Sequence, residues 1–153
     1  MSDNCTFISE AVQICERIGE RNCVRKKLVI TILKGKYAVC KVDNVASILD
    51  FSKNSEFFSI TKTADQVSIV CSPDIIHANE FESEKNWKIM KLEGPLDFSL
   101  VGILASISTV LAKRDISIFV ISTYDTNYIL VKDEDLETAI NALSHEGYKI
   151  RKI

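Results

Sequence analysis

The fold is decided by residues 87–153, WKIMKLEGPLDFSLVGILASISTVLAKRDISIFVISTYDTNYILVKDEDLETAINALSHEGYKIRKI. Trp87 to Leu92 reads as a β-rich run, and Gly94-Pro95 ends it. A helix is expected from about Asp97 or Ser99, either of which can cap it, to about Arg114. Leu100, Val101, Ile103, Leu104, Ile107, Val110 and Leu111 surround that helix with apolar residues, so it should be covered on more than one side. Gly102 falls in its middle, where glycine costs about 1 kcal/mol relative to alanine, and close approach of another backbone is the expected reason. Ser117 to Ser122 and Tyr128 to Lys132 form a hairpin around Tyr124-Asp125-Thr126. Asp133 to Ser144 is an amphipathic helix, with Leu136, Ala139, Ile140 and Leu143 at i, i+3, i+4 and i+7. Gly147 breaks it, and Tyr148 to Ile153 makes a last strand. The order β-α-β-β-α-β places two helices on one face of an antiparallel sheet.

That order is the ferredoxin-like arrangement, so the fold class is α+β. Upstream, Leu28 to Leu33 and Tyr37 to Val42 read as a hairpin joined by Lys34-Gly35-Lys36, with a short helix at Val45 to Phe51. Phe57 to Thr63 and Val67 to Cys71 read as a second hairpin, and Pro73 opens a short helix over Asp74 to Ala78. Phe58 to Thr61 and Val67 to Val70 align without gaps on Phe119 to Ser122 and Tyr128 to Val131, at a constant offset of 61 residues. The expected organisation is therefore a helical extension (1–26), a first, degenerate module (27–78), a polar linker (79–86) and a second module (87–153). Within the extension, Ile8, Ala11, Val12, Cys15 and Ile18 form one apolar stripe.

Length and composition bound the function. The chain has 153 residues, 46% hydrophobic and 26% charged, with five Gly and two Pro, which excludes disordered and collagen-like classes. A net charge of -2 gives no electrostatic basis for binding nucleic acid or an anionic membrane. The mean hydropathy is +0.09, high enough for some surface to be covered by a second subunit. No apolar run approaches the roughly 20 residues that cross a bilayer, so a cytoplasmic protein is expected. Cys5, Cys15, Cys23, Cys40 and Cys71 show no zinc-type spacing, and Cys40 and Cys71 sit in apolar runs as structural thiols. His77 and His145 lie far apart, and no nucleophile, phosphate-binding or metalloprotease motif occurs. The expectation is a non-enzyme without metal or cofactor.

Two loops carry chemistry. Gly94, Pro95, Leu96, Asp97, Phe98 and Ser99 join a strand to a helix amino end, where free N–H groups suit a carboxylate; plain capping explains the same residues. Ser122, Thr123, Tyr124, Asp125, Thr126 and Asn127 form a hydroxyl-rich hairpin tip that can hold polar groups, or be an ordinary turn. With these runs, "EGPLDFSLVGILASIS" and "ISIFVISTYDTNYILV", the chain resembles the ACT-domain family that includes the CASTOR-type amino-acid sensors and short two-module bacterial relatives. The likeness takes in "FFSITKTADQVSIVC" and covers about residues 28–150.

The resemblance implies tandem ACT modules in a homodimer, with a free amino acid between modules. It implies that Gly94 to Ser99 hold the ligand's carboxylate and ammonium, and that the Ser122 to Asn127 tip of a paired module meets its side chain. The family motif commonly carries aspartate where this sequence has Asn127. A neutral amide lacks the charge a guanidinium prefers, so a polar or neutral amino acid is expected at least as much as arginine. The leading expectation is an amino-acid-binding regulatory protein, with a regulated protein as a further partner. The alternative is a ligand-free interaction module that assembles through its sheets and amino-terminal helix.

Overall fold

The structure, a computed structural model, describes residues 28–43, 55–75, 82–94 and 102–153. Among them eight strands form one sheet: β1 (Val29–Ile32), β2 (Tyr37–Val42), β3 (Ser59–Lys62), β4 (Val67–Cys71), β5 (Glu82–Leu92), β6 (Phe119–Ser122), β7 (Asn127–Lys132) and β8 (Lys149–Lys152). Two α-helices, α1 (Ile103–Ala112) and α2 (Leu136–His145), and two short 3-10 turns, Pro73–Ile75 and Asp133–Asp135, complete the described elements. The class is α+β, as the sequence predicts. The expected helices at 6–20 and 45–51, and residues 76–78 of the Asp74 to Ala78 helix, lie outside the described residues.

β5 organises the sheet. One edge pairs with β7, from Trp87↔Lys132 to Lys91↔Tyr128. The other edge is shared: β2 takes the Glu82 to Trp87 end and β1 the Met90 to Leu92 end, both antiparallel. β4 and then β3 extend the sheet beyond β2, β8 runs parallel beside β1, and β6 closes the far side of β7. The hairpin expected from Leu28 to Val42 is therefore absent. β1 and β2 lie end to end along one partner, with the Lys34-Gly35-Lys36 segment looped out at Gly35 (φ 77). Lys88 Nζ donates to the Gly35 carbonyl at 2.8 Å and holds the loop against β5. Leu33 N–H donates to the Ile89 carbonyl at 2.9 Å, which carries the β1 pairing one residue further.

Helix packing explains why β1 joins the carboxy-terminal unit. Ile30 and Ile32 share a buried cluster with Met90 and Leu92 of β5, Ile107 and Leu111 of α1, and Ala139 and Leu143 of α2. These side chains fill the space between the sheet and the two helices, and full burial of each contributes about 1.5–3 kcal/mol. The period read for α2 matches its buried face, Leu136, Ala139, Ile140 and Leu143. A separate cluster, Ala38, Cys40, Val42, Val67, Ile69 and Cys71, serves the β2–β4 end.

Three sequence expectations are corrected here. The described helix starts at Ile103, and Gly102 is its cap in the left-handed region (φ 81), so glycine answers a backbone requirement and not a close approach inside a helix. Five of the residues assigned to the 79–86 linker belong to β5, whose polar first half pairs with β2. The repeat spacing is 60 and not 61: Lys62↔Val67 and Ser59↔Val70 in one hairpin match Ser122↔Asn127 and Phe119↔Leu130 in the other. The physical reason is the two-residue period of a strand. A one-residue slip would place half-exposed Ser68 on fully buried Ile129, whereas the true spacing matches Ile69 with Ile129.

Candidate ligand-binding site

The site lies where β5 ends beside the β6–β7 hairpin. Thr123 and Thr126 close the turn: Thr123 N–H donates to the Thr126 carbonyl at 2.8 Å, and Thr123 Oγ1 to the same carbonyl at 3.0 Å. Thr126 is buried, and its hydroxyl donates to the Leu92 carbonyl. That bond docks the hairpin tip onto the last residue of β5. Between them opens a cleft of about 430 Å3. Lys91, Glu93 and Gly94 form one wall, and Thr123, Asp125, Thr126 and Tyr128 the other.

Gly94, the described residue of the first sequence-selected loop, thus shares a cleft with the second loop within one chain. Of the expected residues, Gly94, Thr123, Asp125 and Thr126 line the cleft. Ser122 and Asn127 bond each other at the base of the turn, Ser122 Oγ donating to Asn127 Oδ1 at 2.6 Å. Tyr124 projects outward, 81% exposed. Pro95, Leu96, Asp97, Phe98 and Ser99 lie outside the described residues, so their expected ligand contacts remain an expectation.

Sequence reasoning missed Lys91, Glu93 and Tyr128, and the pair behind them. Thr31 Oγ1, almost fully buried, donates to Glu93 Oε1 at 2.6 Å. Arg151 of β8 donates through Nη2 to the same oxygen at 2.9 Å and through Nε to Thr31 Oγ1 at 3.2 Å. Lys91 Nζ stands 3.6 Å from Glu93 Oε2. The Thr31 hydroxyl, with help from the Lys91 and Arg151 charges, holds the Glu93 carboxyl below its ordinary 4.5 against the opposing effect of burial. The signal was pairing, not motif. Thr31 faces Lys91 on one side and Arg151 on the other, and Lys91 faces Tyr128. A charged residue inside a strand reads as solvated until its cross-strand neighbours are known.

Elsewhere the described residues hold no group of three His, Cys, Asp or Glu that could bind a metal. Cys40 and Cys71 are buried and free, and the hydrogen bond with Cys40, together with burial, pushes the Cys71 thiol far up. A second cleft, about 490 Å3, lies at the start of β2, between the Lys34 to Tyr37 segment, Phe57 and the Ser72 to Ile75 turn. No described helix is long and apolar enough to cross a membrane.

A sequence model of the ACT domain matches residues 82–145, which run from β5 to the end of α2, and an N-terminal domain model matches residues 35–79. Protein Atu0741 from Agrobacterium tumefaciens, known from a crystal structure, is 31% identical over 82% of this chain and 93% of its own, with a TM-score of 0.73. The chain belongs to the ACT-domain family. This ACT-domain protein is also similar to the cytosolic arginine sensor for mTORC1 subunit 1 of Bos taurus, 27% identical over 60% of this chain and 31% of the sensor. The chain thus spans about a third of the length of the curated relatives it matches. Aspartate kinase from Clostridium acetobutylicum, described as an allosteric enzyme, shares the fold at 18% identity and a TM-score of 0.60, over 77% of this chain and 34% of the kinase.

Proposed function

We propose that this ACT-domain protein is a non-catalytic regulatory protein that binds a free amino acid in the cleft between Gly94 and the Thr123–Thr126 turn, and that it acts as a homodimer. The observation that carries the reading is the Thr126–Leu92 bond, which docks the hairpin tip on the end of β5 beside one polar cleft. A cleft of about 430 Å3 lies within the range of small-ligand sites, roughly 300–1,000 Å3. Its walls carry both signs of charge, as a zwitterion requires: Lys91 on one, Asp125 on the other. Its described lining residues are groups that bind by charge and hydrogen bond: Lys91, Glu93, Thr123, Asp125 and Thr126. The likeness to an arginine sensor and to an allosteric kinase supports a regulatory role. A regulated protein is the further partner this reading calls for.

We read the chain as two modules sharing β5, in place of two modules joined by a linker. Assembly is supported by the sheet edges. β8 carries Lys149, Arg151 and Lys152 and β3 carries Lys62, which discourage strand addition, whereas β6 presents half-buried Phe119, Val120 and Ile121 with no charge. Light scattering should report a dimer for the natural chain and a smaller mass for Ile121→Lys; a monomeric natural chain would remove the dimer from the proposal.

A thermal-shift panel of the common amino acids at millimolar concentration tests the binding reading. One or a few should raise Tm, since a ligand at 100 times its Kd adds about 2.7 kcal/mol of stability. No response to any amino acid would end it.

A further inference from the structure

We infer that the cleft selects an amino acid with a carboxylate side chain, aspartate or glutamate, through Lys91; this rests on the amino-acid reading of the cleft. Three charged groups meet on its β5 side: Lys91 and Glu93 line the cleft, and Arg151 of β8 stands behind them on Glu93. They are not equally engaged. Glu93 Oε1 accepts from both Thr31 at 2.6 Å and Arg151 at 2.9 Å. Lys91 reaches only Oε2, at 3.6 Å, well beyond the roughly 2.7–2.9 Å of a charge-assisted hydrogen bond.

Lys91 is therefore the most loosely held charge of the three, and it lines the cleft. When it turns to a ligand, Glu93 keeps Thr31 and Arg151, so no carboxylate is left unpaired. Arg151 pairs with Glu93 behind the lining and offsets its charge, so Lys91 is the cation this wall presents. An anionic side chain gains Lys91 without breaking the Thr31–Glu93–Arg151 network. A guanidinium or ammonium side chain would have to face Lys91, or displace Arg151 from Glu93, and like charges in close contact disfavour it. The remaining charged lining residue, Asp125, lies exposed on the opposite wall. It suits the ligand's α-ammonium, which every amino acid offers and which cannot discriminate. Discrimination falls to Lys91.

Asparagine and glutamine are the decisive comparisons, because they keep the shape of the acids and lose the charge. Isothermal titration of the full chain with L-aspartate, L-glutamate, L-asparagine, L-glutamine and L-arginine reads the preference. One of the acids should bind at least about tenfold tighter than its amide and than arginine, as expected for a charge-assisted contact. Lys91→Met should weaken the acid about 10- to 100-fold and leave the amide nearly unchanged, while Lys91→Arg should keep the preference. Should Lys91→Met fail to fold, the acid-to-amide ratio of the natural chain and of Lys91→Arg still decides. An amide that binds as tightly as its acid would mean that Lys91 holds the α-carboxylate, and tighter arginine binding would mean that Glu93 faces the ligand. Either result overturns the selectivity and leaves the amino-acid reading standing. Silence toward all five and toward the wider thermal panel would overturn that reading, and the inference with it.

Discussion

The β3–β4 and β6–β7 hairpins are two copies of one local structure, and among the described residues the tip of the second bonds to the end of β5. Their turns share the same closing bonds, and the first adds bonds from the Asp65 and Gln66 N–H groups to the Thr63 hydroxyl. Thr63 N–H donates to the Gln66 carbonyl at 2.9 Å, as Thr123 does to Thr126 at 2.8 Å, and each threonine hydroxyl reaches the same carbonyl. The tips differ at two positions, Ala64 against Tyr124 and Gln66 against Thr126, and the second decides the docking. At the position of Gln66, which is exposed, the second hairpin has buried Thr126, whose hydroxyl bonds to Leu92. The fold thus repeats through backbone and alternation, while the site depends on a single added donor at one tip. Duplicating the hairpin does not duplicate this docking bond.

The largest effects should test the repeat itself. Ile69 and Ile129 occupy equivalent buried positions, at 1% and 0% exposure, and Ile→Ala at either should cost about 2–5 kcal/mol in urea unfolding. Ser68, which a spacing of 61 would align with Ile129, should tolerate Ser68→Ala within about 0.5 kcal/mol. A large loss at Ser68 would break the assigned spacing. Thr126→Val comes next. It keeps the shape but removes the donor to Leu92, at a cost of about 0.5–1.5 kcal/mol, and should weaken ligand binding as the tip loosens. Gln66→Val should change stability by less than about 0.5 kcal/mol. Equal effects at the two tips would erase the proposed distinction between them.

How far the sequence carries the same comparison depends on the range of each interaction. The β-α-β-β-α-β order from Trp87 and the α2 face are written in local periodicity, which one strand or helix displays by itself. β1 and β2 mislead because two apolar runs around Lys34-Gly35-Lys36 satisfy every local requirement of a hairpin. Their actual partner, β5, lies some 50 residues downstream. The first half of β5, Glu82 to Asn86, reads as linker because its side chains are mostly exposed and no apolar alternation marks it. Both site loops stand out by their turn chemistry and hydroxyl content. Lys91, Glu93, Thr31 and Arg151 do not, since their meaning comes from three strands lying side by side, and no motif spans residues 31, 93 and 151.

The smallest effect separates charge from packing at that junction. Thr31, Lys91 and Arg151 hold the folded Glu93 carboxyl below its ordinary 4.5, so Glu93 adds stability above that pH, and the contribution fades as pH falls through the lower, folded value. Glu93→Gln preserves shape and removes the charge. Because the Arg151 side chain is largely exposed, the loss near neutral pH should be only about 0.2–1 kcal/mol. Thermal unfolding of both proteins from pH 7 to pH 3 should show a small gap at neutral pH that closes below about 4.5, where the natural glutamate also becomes neutral. The carboxylate lies on the β1–β5–β8 side of the cleft, so the first hairpin should be untouched, and Gln66→Val should give a flat difference across the same range. A Glu93→Gln gap that stays constant with pH would assign the loss to the Thr31 hydrogen bond and packing, and would remove the ionic part of the network on which the distinct chemistry of the second site depends.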